Sequence, residues 1–273
     1  MKEPGAVVIT GASSGIGAAV ARDLAGRGFQ VFGTVRRPED AAALEAARVS
    51  PVQMDVTDQE SIAHARAEVE RGLTGRPLVG LVNNAGVPAA GPLELLPLEE
   101  LRRVLEVNLV GAVAVTQAFL PLLTATRGRI VNISSVSARL PLPFAGPYAA
   151  SKSGLEAISD SLRRELLPFG VDVIVIEPGS VQTKIWDKVA SLDLSRYRGS
   201  PYERVLERVR RAALRLGEQG LPATAVARAV ARALTARRPQ ARILVVRSRV
   251  SQRLMELLPD RWMDWLIKRA VWK

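Results

Sequence analysis

Short apolar runs alternate with helical patterns through the first 180 residues of this chain of 273. Six such runs are rich in β-branched residues and fall at 6–10, 30–35, 52–56, 78–82, 128–133 and 171–176. Alternation of this kind predicts parallel strands joined by crossover helices, with helices on both faces of one sheet. The predicted fold is therefore α/β: a doubly wound parallel sheet in three α/β/α layers, with all strand carboxyl ends at one edge.

A glycine-rich turn follows the first strand directly, with its glycines spaced Gly-x-x-x-Gly-x-Gly. A strand, a glycine turn and a helix in this order let backbone N–H groups and a helix N-terminus meet a pyrophosphate. An ordinary tight turn is the alternative, and the flanking strand and helix favour the dinucleotide. The predicted contacts in this turn are Gly11, Ser13, Ser14, Gly15, Ile16 and Gly17.

Two arginines, Arg36 and Arg37, follow the second strand, where an acidic residue would bind the ribose of NAD(H). Their guanidinium groups suit a 2′-phosphate, so the sequence favours NADP(H), with NAD(H) as the second candidate. The third strand ends in Asp55 and Val56, and the carboxylate is well placed for an adenine amino group. Thr57 is predicted to cap the next helix, because a glutamate follows three residues later.

Small and amide residues follow the fourth strand, and Asn83, Ala85 and Gly86 are predicted to let a cofactor approach the backbone. Asn108 lies among apolar residues in a long helical stretch at 98–123. Its amide either bonds to a local backbone carbonyl or holds a water molecule near a catalytic lysine. The sequence leaves both roles open.

A tyrosine and a lysine four residues apart, Tyr148 and Lys152, are the residues predicted to carry the chemistry. On a helix these two side chains lie one above the other. The neighbouring ammonium is expected to lower the pKa of the phenol into the range where it works as acid and base. Ser135 follows the fifth strand and is expected to donate a hydrogen bond to the same substrate oxygen.

Composition excludes several other chemistries, because the chain contains no cysteine and a single histidine, His64. There is no disulfide framework, thiolate metal site or cysteine nucleophile, and a Ser-His-Asp mechanism is not expected. No metal site is predicted. The N-terminus leads directly into a strand, and no run of about 18 apolar residues occurs, so a cytoplasmic protein without a spanning helix is expected.

Positive charge is concentrated in residues 196–253, which hold fifteen Arg, no Lys and three Glu, a net charge of +12 within a total of +11. Such a block can indicate nucleic acid, an anionic membrane surface or an anionic ligand. The whole chain has 32 Arg and 6 Lys, so arginine also replaces lysine on solvated helix faces. The interpretation that these arginines lie on solvated helix faces is favoured, and no nucleic-acid partner is predicted.

Together these motifs resemble those of the short-chain dehydrogenase/reductase family over residues 5–248. The resemblance implies a Rossmann-type sheet of seven strands, the last at 242–246, and hydride transfer between nicotinamide and a carbinol or carbonyl carbon. The segments 31–36 and 144–148 resemble the branch that acts on steroids, retinoids and 3-hydroxyacids. The motifs that carry the resemblance are residues 10–17, Asp55-Val56, residues 83–86, Asn108, Ser135, Tyr148-x-x-x-Lys152 and Pro178-Gly179-x-x-x-Thr183.

The resemblance also implies a role for each residue of the site. Tyr148 is the implied acid/base, Ser135 orients the carbonyl, and Lys152 holds both the nicotinamide ribose and Tyr148. Asn108 is implied to hold a relay water. Relatives usually assemble, so a homodimer or homotetramer is expected. The turn after the sixth strand is implied to hold the coenzyme through Pro178, Gly179, Val181 and Thr183.

Residues 184–222 follow this turn and are predicted to cover the substrate mouth within a single catalytic domain of residues 1–250. Apolar residues there are expected to line a pocket, with ordinary packing as the alternative. Such a pocket favours a small hydrophobic alcohol or ketone over a sugar. The candidate pocket residues are Leu140, Pro141, Phe144, Trp186 and Val189.

The tail, residues 251–273, holds three of the four tryptophans among basic residues, and Pro259 divides it into two short predicted helices. An amphipathic helix with tryptophan and basic residues can lie on an anionic membrane as a peripheral contact. The same tail can pack on the body of the protein or on a partner subunit. All of these interpretations remain open at this point.

The sequence therefore predicts an NADP(H)-dependent oxidoreductase that acts on a hydrophobic secondary alcohol or ketone by Tyr-Lys-Ser acid/base catalysis. The alternative from another class is a non-catalytic dinucleotide-binding protein that senses redox state or serves as a scaffold. A complete set of Asn108, Ser135, Tyr148 and Lys152 favours the enzyme, because a protein that only binds the dinucleotide does not need all four.

Overall fold

A computed structural model describes residues 4–191 and 193–272, apart from the side chain of residue 188. The strands in these ranges are β1 Ala6–Ile9, β2 Gln30–Val35, β3 Ser50–Gln53, β4 Leu78–Asn83, β5 Arg129–Ile133, β6 Asp172–Pro178, β7 Val181–Gln182, β8 Leu221–Pro222 and β9 Arg242–Val245. Seven of them form one parallel sheet in the order β3-β2-β1-β4-β5-β6-β9, while β7 pairs with β8. The predicted seven-stranded sheet is confirmed.

Helices connect the strands and cover both faces of the sheet. They are α1 Gly15–Gly26, α2 Ala42–Glu45, α3 Gln59–Gly72, α4 Leu98–Leu105, α5 Gly111–Thr126, α6 Gly146–Glu165, α7 Ile185–Ala190, α8 Glu203–Glu218, α9 Ala223–Thr235, α10 Arg249–Glu256 and α11 Asp260–Val271. Helices α1 and α9 pack together on one face, and α3 and α5 pack together on the other. The strand order reverses between β1 and β4, which is where doubly wound folds bind ligands.

The hydrophobic core has two halves because the central strands are buried on both faces. Every residue of β1 is buried, so alternate side chains enter opposite halves. Leu24 of α1 and Val230 of α9 belong to one half, and Phe119 and Leu123 of α5 belong to the other. The sheet is thus held rigidly between the layers, and its loops at the carboxyl edge are free to form a site.

The connection after β3 differs from the prediction. Strand β3 ends at Gln53, and the helix cap is Asp58, whose Oδ1 accepts the N–H groups of Glu60 and Ser61 at 2.9 and 3.2 Å. The Thr57 hydroxyl instead donates to the Asp55 carboxylate at 2.7 Å. The prediction that Thr57 caps α3 was therefore wrong, because the carboxylate two residues earlier takes its hydroxyl.

Helices α4 and α5 are continuous through a π-helical turn at Glu106–Val110. Leu98–Thr126 is the one helical stretch in the described residues that is long and apolar enough to cross a bilayer by composition, which the search for uninterrupted apolar runs did not anticipate. Its Val115 and Phe119 are fully buried, and α5 packs against β4. These contacts are those of a core helix.

Candidate active site

The glycine turn has a backbone that other residues do not readily adopt. Gly11 and Gly15 have φ values of +65° and +57°, in the left-handed region. A Cβ atom at Gly17 would lie 2.3 Å from the Gly11 carbonyl oxygen. Half-buried Ser13 and exposed Ser14 complete the turn, which leads directly into α1. A helix N-terminus behind a tight glycine turn is suited to an anionic pyrophosphate.

The turn is held from the end of β4 by Asn84, a residue outside the predicted set. Its Nδ2 donates to the carbonyl oxygens of Thr10 at 2.9 Å and Gly11 at 3.0 Å. The Thr10 hydroxyl oxygen accepts the backbone N–H groups of Asn84 and Ala85, both at 2.9 Å. Asn84 therefore fixes the glycine turn against the strand.

The neighbouring Asn83 has a different position from the one predicted. Its side chain is buried and donates to Thr116 Oγ1 at 2.9 Å and to Asn132 Oδ1 at 2.8 Å. It therefore joins β4 to α5 and β5, and the amide does not line the rim. Exposed Gly86 stays at the rim, as predicted for a backbone that a cofactor approaches.

The three charged residues after β2 and β3 differ in their partners. Exposed Arg37 pairs with Asp40 at 3.3 Å and Glu39 at 3.6 Å. Arg36 is also exposed, and no side chain in the described part of the chain holds it in an ion pair. A hydrogen bond from the backbone of Thr57 lowers the pKa of Asp55, and the charge of Arg36 acts in the same direction. Arg36 is thus the better placed arginine for a 2′-phosphate.

Ser135, Tyr148 and Lys152 meet where β5 ends and α6 passes it. The Ser135 hydroxyl lies beside the Tyr148 phenol, close enough to act on its pKa. Lys152 is only 5% exposed, and its Nζ donates to the Ile133 carbonyl oxygen at 2.8 Å. The Nζ atom lies 5.8 Å from the centroid of the Tyr148 ring. The lysine therefore ties the catalytic helix to the strand that delivers the serine.

The electrostatics of the pair correct one expectation. Burial raises the pKa of Tyr148 above 10.0, and the hydrogen bond with Ser135 opposes that shift. Burial also lowers the pKa of the Lys152 ammonium from 10.5 to about 8. The lysine was expected to lower the phenol pKa, but its Nζ hydrogen-bonds to the Ile133 carbonyl. Burial therefore dominates both groups.

Replacing Lys152 with Met is expected to remove a pH-dependent part of the free energy of unfolding. The pKa of Lys152 falls from 10.5 to about 8 in the folded chain, so the unfolded chain binds more protons between these values. The free energy of unfolding of the wild type therefore rises with pH in this window. Relative to Lys152→Met, the wild type should gain about 2 kcal/mol between pH 8 and about pH 9.5.

Urea unfolding at several pH values measures this difference. Ala150→Met is the matched control, because it adds the same side chain at an exposed position of α6 and removes no titrating group. A difference between wild type and Lys152→Met that stays constant across the window would contradict the buried ammonium.

Asn108 lies on the π-helical turn between α4 and α5. Its Oδ1 accepts the Val87 N–H at 2.8 Å, and its Nδ2 donates to the Val87 carbonyl at 3.0 Å and to Ser151 Oγ at 3.0 Å. Ser151 in turn donates to the Tyr148 carbonyl at 2.7 Å. Asn108 thus bonds to the backbone of a residue distant in the chain and not to a local carbonyl, and it links the loop after β4 to the catalytic helix.

The turn after β6 lies against the glycine turn. A Cβ atom added to Gly15 would be 3.2 Å from Thr183 Cβ. The Gly179 N–H donates to the Val245 carbonyl oxygen at 3.0 Å, which fixes the turn to β9. Val181 is buried and pairs with β8. Thr183 is therefore close to the glycine turn, and its implied role, holding the nicotinamide carboxamide through its hydroxyl, stays a prediction.

The five candidate pocket residues have different surroundings: Pro141 is exposed, and Leu140, Phe144, Trp186 and Val189 are partly buried. Phe144 has a φ of +68°, and Leu140 precedes it in the same loop after β5. The Trp186 indole N–H donates to the Val181 carbonyl oxygen at 2.7 Å, and its ring lies against Gly217 of α8. Trp186 thus joins α7 to α8, the packing role that the sequence left as an alternative.

Three aromatic rings from three segments meet at the predicted substrate mouth. The Phe144 centroid lies 6.0 Å from that of Tyr202 and 6.1 Å from that of Trp272, and the Tyr202 and Trp272 centroids are 6.4 Å apart. Beside them is an open cleft of about 600 Å³, mainly apolar. The cleft is lined by Pro141, Leu142, Pro143, Asp264, Ile267, Lys268 and Trp272.

A buried ionic network lies next to the catalytic residues, and no sequence motif indicated it. Arg242 of β9 donates to Glu156, to Glu177 at 3.1 Å and to Asp160 at 2.7 Å. Glu156 follows Lys152 by one helical turn and accepts the Ser134 hydroxyl at 2.7 Å. The network therefore joins α6 to the ends of β5 and β6, on either side of the site.

Several arginines of the basic block are in ion pairs with acids of the same chain. Arg196 pairs with Glu100, Arg210 with Glu207, and Arg253 with Glu256. Part of the positive charge of residues 196–253 is therefore neutralised within the chain.

Known proteins agree with this architecture. The short chain dehydrogenase family model matches residues 5–193. NADPH-dependent 3-dehydrocapnine reductase of Ornithobacterium rhinotracheale is 38% identical over 266 residues, 94% of each chain. Retinol dehydrogenase 5 of Homo sapiens is 38% identical over 253 residues, 86% of this chain and 79% of its own. A short-chain dehydrogenase/reductase structure from Burkholderia phymatum in complex with NAD has a TM-score of 0.81 at 26% identity, covering 97% of this chain and 95% of its own.

The sheet, the glycine turn and the Ser-Tyr-Lys site define an oxidoreductase of the Rossmann type that uses NAD(P) and acts on CH–OH groups. The chain belongs to the short-chain dehydrogenase/reductase family. The resemblance to the steroid and retinoid branch is supported by the retinol dehydrogenase among its relatives.

Proposed function

We propose that this enzyme transfers a hydride between NADP(H) and a hydrophobic secondary alcohol or ketone, with Tyr148 as acid and base. The observation that carries the proposal is the convergence of Ser135, Tyr148 and Lys152 at the end of β5. This position is at the strand carboxyl edge, where doubly wound sheets bind dinucleotides.

The residues fit a dinucleotide at three places. A side chain at Gly11 or Gly17 would collide with neighbouring backbone, Arg36 is exposed at the end of β2, and Thr183 lies against the turn at Gly15. A nicotinamide coenzyme bound there supplies or accepts the hydride. The chain itself contributes binding, orientation and proton movement.

Each catalytic side chain then has a task that its contacts support. The Ser135 hydroxyl orients the substrate oxygen beside the phenol, and the Tyr148 oxygen gives or takes the proton. Lys152 holds the end of β5 through the Ile133 carbonyl oxygen and so fixes the catalytic helix against the strand that delivers Ser135. Asn108 positions the Tyr148 turn through Ser151, and a relay water near its amide is part of the proposal.

Replacing Arg36 with Ala is expected to weaken NADPH binding by about 10- to 100-fold and to change NADH binding little. The reason is that charge-assisted hydrogen bonds to the 2′-phosphate are lost. Dissociation constants from NAD(P)H fluorescence titration measure the effect. Arg37→Ala is the matched control with a smaller expected loss, because Asp40 and Glu39 already hold that guanidinium. Equal losses for both coenzymes would contradict the assignment to Arg36.

An apolar substrate is supported by the surroundings of the cleft. The rings of Phe144, Tyr202 and Trp272 and the Pro141–Pro143 segment surround its opening. Few of these groups offer the paired donors and acceptors that recognise a sugar. The proposed substrate class is therefore a hydrophobic alcohol or ketone, including retinoid, steroid and 3-hydroxyacyl compounds.

A panel of ketones and alcohols of increasing apolar size, assayed with both coenzymes by NAD(P)H absorbance, tests the function. We expect turnover with NADPH to rise from short to bulky apolar ketones and to stay low with aldoses. Coenzyme binding without turnover on any member would support a redox sensor or scaffold instead.

The proposal also includes where the enzyme is located and how many copies assemble. A cytoplasmic homodimer or homotetramer agrees with exposed Val110 and Ile158 on α4–α5 and α6, which offer apolar surface to a second copy. Sedimentation velocity of the purified protein measures the assembly directly, and a monomer at assay concentrations would contradict it.

A further inference from the structure

The last two helices expose large apolar side chains on one side. In α11, Met263 is buried and Ile267 is half-buried, so these residues pack on the body of the protein. Trp262, which is 68% exposed, and Trp265 lie on the opposite side with Leu266. Spacings of three and four residues place these three on one helical face.

Helix α10 has the same arrangement. Val250 and Leu254 are exposed and lie on one face, and Leu257, which is 79% exposed, follows at the end of the helix. Gln252 and Glu256 are half-buried on the other side. The exposed apolar residues of α10 and α11 are called here the tail face, and they are Val250, Leu254, Leu257, Trp262, Trp265 and Leu266.

Positive charge surrounds the tail face. Residues 247–272 contain five Arg, one Lys and three acids, a net charge of +3. Arg269 lies over the Trp265 ring, with its guanidinium carbon 5.7 Å from the ring centroid. Arg261 is exposed next to Trp262. The acid of α10, Glu256, is already paired with Arg253 at 2.9 Å.

We infer that the tail face binds the surface of an anionic lipid bilayer. Exposed tryptophans beside basic residues are the composition of helices that lie in a membrane interface, where rings enter the headgroup region and cations meet lipid phosphates. A second copy of the chain fits less well, because two such faces brought together would place the like charges of this segment, +3 on each copy, against each other.

The bilayer and the site share helix α11. Ile267, Lys268 and Trp272, on the other side of this helix, line the substrate cleft. This link rests on the proposed function, since an apolar substrate dissolves in the bilayer. Binding to the bilayer does not depend on turnover, so Tyr148→Phe should bind vesicles as the wild type does.

Co-sedimentation of the full-length protein with vesicles tests the inference. Vesicles of equal parts phosphatidylcholine and phosphatidylglycerol are compared with pure phosphatidylcholine, at low and high salt. The wild type should partition at least about tenfold more strongly onto the anionic vesicles, with a loss in high salt. Trp262→Gln/Trp265→Gln should reduce partitioning by at least about tenfold.

Leu167→Gln/Phe169→Gln is the matched control. It replaces two exposed apolar residues, Leu167 being 69% exposed, after α6 and away from the tail. This variant should partition as the wild type does, and far-ultraviolet circular dichroism should show all proteins folded. Equal partitioning of the tryptophan variant, or no preference for anionic vesicles, would overturn the inference. If Trp262→Gln/Trp265→Gln instead converts an oligomer to monomers, the tail face is a contact with a second copy of this chain, which would also overturn the inference.

Discussion

Replacing Tyr148 with Phe is expected to lower kcat by about 10²- to 10⁴-fold, the range that a positioned general acid and base contributes. The change removes one oxygen atom and leaves the ring. The lost Tyr148 hydroxyl lies beside Ser135, where the substrate oxygen is expected, so the variant has no phenol to carry the proton. Steady-state rates with the best ketone of the panel measure the loss.

Binding should separate this effect from a general loss of structure. The affinity for NADPH should stay within about threefold of the wild type, because the substitution keeps the ring that packs at the site. Tyr197→Phe is the matched control: it removes the hydroxyl of another buried tyrosine, in the segment before α8, and should leave kcat nearly unchanged. Retention of wild-type kcat by Tyr148→Phe would show that another group moves the proton.

Replacing Arg242 with Met is expected to lower the free energy of unfolding by about 3–5 kcal/mol, because it leaves buried carboxylates without a cation. Glu177 is 1% exposed, and one of its oxygens has no hydrogen-bond partner in the described part of the chain. Arg139 still reaches Glu177 at 3.2 Å, so part of the charge remains compensated. The thermal midpoint should fall by about 10 °C.

The same variant should also respond to pH. Burial raises the pKa of Glu156, and Arg242 opposes that shift. Without the arginine the folded state favours the protonated acid more strongly than the unfolded chain does. The free energy of unfolding of Arg242→Met should therefore recover as the pH falls from neutral toward the ordinary pKa of a glutamic acid.

Two further variants test whether the stability lost in Arg242→Met comes from the buried ionic network. Arg27→Met removes an exposed pair with Asp23 and should leave the free energy of unfolding nearly unchanged. Adding Glu156→Gln to Arg242→Met should restore part of the loss, since it removes one buried charge. Urea unfolding measures all of these, and a loss for Arg242→Met no larger than for Arg27→Met would contradict a stabilising network.

The fold was largely predictable because its signals are local. Each strand is an apolar run, and the glycine turn follows β1 directly, so alternation along the chain gave the sheet and the common edge of the site. Gly11 and Gly17 could be predicted as site residues for the same reason, because the glycine motif is contiguous in the sequence.

Other features depend on contacts across the fold. Asn83 and Asn84 are adjacent, and the alternation of side chains along a strand could have indicated that only one of them faces the glycine turn. The π-helical turn at Asn108 depends on its contacts with Val87, twenty-one residues away. The direction of the Tyr148 pKa shift depends on how the fold buries the phenol, which spacing along a helix does not specify.

The contact between Lys152 and the last carbonyl of β5 has a consequence for engineering this enzyme. A charged group kept out of water lowers the stability of the folded chain at neutral pH, so apolar residues at this position are expected to raise the melting temperature. A library screened for heat tolerance alone would then accumulate such residues and lose turnover. Screens for hardier variants should therefore hold this position constant.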